Sequence, residues 1–181
     1  LFEVEFDTVY ASPDMVETAR LILEAAGGGA ALLYDKSSGD WIGINPNDSR
    51  EALIRAGAPR NAAAVAGAAG GPVVLISDWR SESNFSYAGW SEAAADALFA
   101  GLVELDRKLG GDPAAGGGDG SDGAALGPLL GASMHFIGHG RGASVNSEII
   151  QRLGTHFPGI AEIQMTTLDP HDFDQPSLNL S

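Results

Sequence analysis

The junction MHFIGHGRGASVNSEII, residues 134–150, constrains the fold of this chain more than any other stretch. An apolar run runs into a glycine cluster and leaves as a helix with Val145, Ile149 and Leu153 at four-residue spacing. A strand that turns within a few residues into an amphipathic helix cannot pair with its own continuation. It needs a crossover to a parallel neighbour, and AEIQMTTLD supplies one. Upstream, GPVVLISDW is a compact β-branched run with little alternation, as expected of a strand buried on both faces. SEAAADALFAGLVELDRKLGG follows as a helix, with Ser91 as N-cap, Ala95, Leu98, Leu102, Leu105 and Leu109 on one face and Gly110 as stop. Strand, helix, strand, helix, strand predicts parallel pairing with right-handed crossovers, so the fold class is α/β.

The first part of the chain fits the same class. LFEVEFDTVY alternates Phe2, Val4 and Phe6 against Glu3, Glu5 and Asp7, a half-buried strand. Ser12 caps a helix that carries Pro13 in its first turn, has Val16, Ala19 and Leu23 on one face and ends at Gly27–Gly29. AALLYDKSSGDWIGIN reads as a hairpin, and DSREALIRAGA as a short helix capped by Asp48 or Ser49. Gly110 to Gly131 inclusive holds nine glycines, so residues 110–133 are expected to form a flexible loop. Its GGGDGSDG resembles one calcium-binding nonapeptide repeat, but a single unrepeated copy reads as plain surface. The expectation is one domain over residues 1–181.

Composition removes several functions. Twenty-four acidic against ten basic side chains leave a net charge of −14, which argues against a nucleic-acid partner or an anionic-membrane anchor. With no cysteine, disulfides, thiolate zinc sites and thiol catalysis are excluded. No apolar run approaches the ~20 residues of a transmembrane helix. The chain does not open on Met and stops soon after a strand-like segment, so a mature product or excised fragment is expected.

The glycine junction has two readings. As G-x-G-x-x-A, Gly138, Gly140 and Ala143 match a dinucleotide fingerprint, with Asp169 placed to hold a ribose hydroxyl. Too few residues follow to complete a doubly wound nucleotide domain, and any tight strand-to-helix turn selects glycine. As G-x-[S]-x-G it is a nucleophile elbow, with Gly138 and Gly142 as small flanking residues and Gly140 where the serine would stand.

The ordered set SDW, HFIGHGRGA and TTLDP over residues 73–170 resembles the α/β-hydrolase superfamily, and most of all its pancreatic-lipase-like branch. The resemblance implies carboxylic-ester chemistry through an acyl-enzyme, a small-molecule ester or lipid substrate and no cofactor. It places Gly140 at the nucleophile position and Asp169 as the triad acid. The Arg141 backbone N–H becomes one oxyanion donor, with Asn45 a candidate for the second. The branch carries its triad histidine after the acid, whereas His171 lies only two residues beyond Asp169. His135 and His139 lie on the elbow strand, and His135 is expected to be a satisfied interior histidine. No Ser–His–Asp set is complete, and Ser144, Ser133, Ser77 and Ser81 offer no better nucleophile. Asp169, His171, Asp172 and Asp174 read as a polar loop rather than a metal site. The expectation is a hydrolase-like domain, incomplete at its C-terminal edge and inactive. A non-catalytic binding or structural module of a larger acidic protein is the alternative, and a dinucleotide-binding domain the third reading.

Overall fold

The computed structural model describes residues 12–47, 60–61, 71–79, 89–110 and 126–170. The expected strand at 1–10 and the expected helix at 48–58 lie outside these residues. Helices and strands mix throughout, as an α/β chain requires. The chain divides into two compact units, Leu1–Trp79 and Arg80–Ser181.

The first unit is built on a central hairpin. Helix α1 (Pro13–Ala25) starts at Ser12 with proline in its first turn and buries Val16, Ala19 and Leu23. Strands β1 (Ala30–Asp35) and β2 (Asp40–Ile44) pair antiparallel, Tyr34 facing Trp41 and Ala31 facing Ile44. Strand β3 (Arg60–Asn61) extends β2, and β4 (Val73–Ile76) runs parallel to β1, giving the order β3-β2-β1-β4. Ala31, Leu33 and Ile76 share one face with Ile44, and the α1 stripe closes over them. Both faces of β1 are buried, which is why Ala30–Tyr34 is a continuous apolar run rather than an alternating one.

The hairpin turn is held by one carboxylate. Asp35 accepts from the Ser37 N–H at 3.0 Å and from the Ser37 and Ser38 hydroxyls at 2.7 Å each. The start of α1 is fixed likewise, its Ser12 N–H donating to the buried Asp78 carboxylate at 2.6 Å. Strand β4 departs from the expectation of burial on both faces. Its only partner among the described residues is β1, so it lies at a sheet edge with Val73, Val74 and Leu75 half-buried and only Ile76 fully covered.

The second unit packs two helices against each other beside a parallel strand pair. Helix α2 (Trp90–Lys108) buries Ala94, Ala95, Leu98, Leu102 and Leu105, and helix α3 (Gly142–His156) buries Ala143, Val145, Ile149 and Leu153. Strands β5 (Met134–His139) and β6 (Ile163–Leu168) pair in parallel, so β5–α3–β6 is the expected crossover unit. Among the described residues they form a sheet of their own, and the parallel pairings are β1–β4 and β5–β6.

Arg152 of α3 joins the helices, donating to Asp96 of α2 at 2.7 Å and to Glu148 of its own helix at 2.6 Å. The N-cap of α2 is Gly89, at φ 89°, and Ser91 is buried inside the first turn. The helix starts earlier than Ser91 allows because a glycine at positive φ already turns the chain in. Leu109 is half-buried at the C-cap instead of extending the apolar face.

Part of the expected glycine loop is tied down. Residues 111–125 lie outside the description, but the N–H groups of Gly127, Leu129 and Leu130 all donate to the buried Asp106 carboxylate near the end of α2, at 3.1, 2.9 and 3.0 Å. That anchor delivers the chain into β5, the strand that carries the candidate site.

Candidate active site

The candidate site is the turn between β5 and α3. Gly138, the last buried residue of β5, lies against the start of the helix, and a Cβ there would come within 2.7 Å of the Ala143 backbone. Only hydrogen fits at that approach. Gly140 then takes φ 56°, in the left-handed region that side chains other than glycine's populate at a cost. A Cβ at 140 would meet nothing within 4 Å, so a side chain placed there would project into open space. Arg141 is the N-cap of α3, and its C=O accepts from the Val145 N–H at 3.1 Å. Gly142 also has nothing within 4 Å of an added Cβ, so the small residue expected there is not demanded by close packing.

The next strand ends beside this turn. The Gly140 N–H donates to the Leu168 C=O at 2.9 Å, continuing the β5–β6 ladder by one step. Asp169 follows Leu168 directly, so the position read as nucleophile and the position read as acid lie on adjacent strand ends. Asp169 is exposed, and among the described residues it is the one residue other than glycine with positive φ, at 46°.

The other residues expected to matter lie elsewhere or have other work. The guanidinium of Arg141 is turned into the protein, 7% exposed, with its carbon 5.8 Å from the centre of the Trp90 ring. That cation–π contact anchors the β5–α3 turn to α2. Arg141 was expected to act through its backbone N–H, and no spacing in the sequence ties its guanidinium to Trp90. Asn45 belongs to the first unit, where its carboxamide oxygen accepts from the Asn47 N–H at 3.1 Å and side-chain amide at 3.3 Å.

His135 is exposed rather than interior. Its Nε2 pairs with the Thr166 hydroxyl at 2.8 Å, so it is satisfied as expected but on an open face. Strand alternation puts His135, Ile137 and His139 on that face, and all three are exposed. The Ser77 hydroxyl accepts from the Trp79 indole, Ser144 is half-buried in the first turn of α3, and Ser133 is exposed before β5. Ser81, His171, Asp172 and Asp174 lie outside the described residues. Among the described residues no group of three His, Asp or Glu side chains could hold a metal ion, and no helix is long and apolar enough to cross a membrane.

No protein-family model, curated protein or solved structure matches this chain. The turn can present a side chain at position 140 on a tight strand-to-helix corner, with the N-terminus of α3 behind it and a carboxylate at the neighbouring strand end. With glycine at 140, the frame has no group to attack a carbonyl.

Proposed function

We propose that the chain is an α/β-hydrolase-like domain of lipase or carboxylic-ester hydrolase ancestry that keeps the elbow and lacks the nucleophile. The observation that carries this reading is the β5–α3 turn: a left-handed residue at its tip, open space above that tip, and Gly138 pressed on the helix backbone. An elbow needs all three, because the nucleophile must stand clear of strand and helix while both approach closely. In this reading Asp169 holds the acid position, the Arg141 N–H is an oxyanion donor, and the sheet of intact relatives is mostly parallel. Gly140 relieves backbone strain of ~1–3 kcal/mol at the tip and removes covalent catalysis with it.

The test is p-nitrophenyl butyrate turnover by the unmodified chain and by Gly140→Ser, each with and without added imidazole in place of a triad base. The unmodified chain is expected to stay at the buffer rate. With imidazole, Gly140→Ser is expected to gain the mass of one acyl group and to turn over. Hydrolysis by the unmodified chain would contradict inactivity, and failure of Gly140→Ser to acylate would contradict the hydrolase frame.

A second reading is favoured by the parallel β5–α3–β6 unit itself, which places Gly138 and Gly140 before a helix and Ala143 in its first turn, and whose second strand is followed by Asp169. It assigns a dinucleotide to that turn and predicts a raised melting temperature with NAD. An unchanged melt removes it.

A further inference from the structure

The strained corner after β6 carries chemistry that does not depend on the hydrolase reading. Asp169 combines two backbone costs. It is a non-glycine residue at φ 46°, and it precedes Pro170, whose ring crowds the N–H and Cβ of the residue before it. The same residue holds a β-carboxyl one five-membered ring away from its own carbonyl carbon. The bond after that carbonyl is a tertiary amide whose nitrogen leaves as a basic secondary amine. The corner is exposed at both residues, so water reaches it.

We propose that the folded chain is a self-cleaving substrate at the Asp169–Pro170 bond in mild acid. The protonated side-chain carboxyl adds through oxygen to the Asp169 carbonyl carbon. The C–N bond to Pro170 breaks, and the carboxyl proton passes to the departing prolyl nitrogen. The cyclic anhydride left on Asp169 takes up one water and opens to two carboxyls, so the net reaction is hydrolysis of one peptide bond. As the C–N bond breaks, Asp169 is freed from the left-handed backbone it holds in the fold, and the strain of that corner is released on the way to cleavage. Strain of this kind corresponds to acceleration of roughly five- to a hundredfold over the same bond in unstrained chain.

Asp112–Pro113 is the same dipeptide and serves as a control for substitutions at position 169. The full-length protein is incubated in mildly acidic buffer with and without concentrated urea, and fragments are counted by intact mass. Cleavage after Asp169 is expected to run about tenfold faster without urea than with it. Asp169→Glu, whose longer arm must form a six-membered ring, is expected to lose cleavage after position 169 and keep cleavage after Asp112. Equal rates after Asp169 with and without urea would overturn the proposal, because sequence and not fold would then set the rate. Undiminished cleavage of Asp169→Glu would overturn the ring mechanism.

Discussion

Replacing Asp106 with alanine probes how the glycine-rich connection is delivered into the candidate site. The carboxylate is 5% exposed and accepts three backbone N–H bonds, from Gly127 at 3.1 Å, Leu129 at 2.9 Å and Leu130 at 3.0 Å. The two to Gly127 and Leu130 are buried, and that to Leu129 is part-buried. A buried donor left without its acceptor costs ~1–3 kcal/mol, and bonds to a charged acceptor lie toward the upper end. Water entering the alanine-sized space recovers part of this, so Asp106→Ala is expected to destabilise by about 3–5 kcal/mol. Asp106→Asn keeps an oxygen for Leu129 and Leu130 but turns an amide donor toward the Gly127 N–H, and about 1–2 kcal/mol is expected. Urea unfolding followed by circular dichroism gives the stabilities, and hydrogen exchange gives the location. The amides of Gly127, Leu129 and Leu130 should lose protection in Asp106→Ala, and Gly127 alone in Asp106→Asn. A loss under about 0.5 kcal/mol for alanine, the usual scatter of surface changes, would refute the anchor. Unchanged exchange at all three amides would refute it as firmly.

Gly138→Ala is expected to cost about 1–3 kcal/mol or more, because its Cβ would press within 2.7 Å of Ala143 backbone that cannot swing aside. Gly140→Ala, strained at φ 56° but in open space, should cost about 1 kcal/mol, and thermal melts that reverse this order would refute the packing argument. Arg152→Lys, which gives up the fork between Asp96 and Glu148, should lose about 1 kcal/mol in urea titration, and no loss would show that one point charge suffices. At Asp35 partial burial disfavours the charge, but the bonds donated by Ser37 and Ser38 outweigh it and hold the carboxyl below its ordinary value. A depressed carboxylate stabilises fully above its unfolded value of ~3.9 and loses that contribution as pH falls through the lower folded value. A carbon-detected titration should therefore find Asp35 low in the wild type and higher in Ser37→Ala; no rise would remove the hydroxyl as the cause.

Periodicity was enough for the elements that satisfy themselves locally. The α1 stripe of Val16, Ala19 and Leu23, the hairpin around Ser37–Gly39 and the β5–α3–β6 order all follow from spacing and turn chemistry. The tight β5–α3 turn was legible for the same reason, since glycines at 138 and 140 answer to backbone constraints within a few residues. What spacing could not supply is which distant group completes a local need. Nothing in the sequence pairs Asp106 with three amides more than twenty residues away, Asp78 with the Ser12 N–H, or Arg141 with the Trp90 ring.

Burial was also undecidable from the residues alone. The run Val73–Ile76 looks like a central strand and, among the described residues, lies at a sheet edge, while His135 in an apolar strand looks interior and is exposed. The difference is physical: a strand's sequence records what its own side chains prefer, and only the neighbours it finally meets fix which of its faces is covered. The sequence by itself determined an α/β chain with a tight glycine corner between β5 and α3. The tertiary structure decided that the corner stands open at Gly140, next to the strand end that bears Asp169.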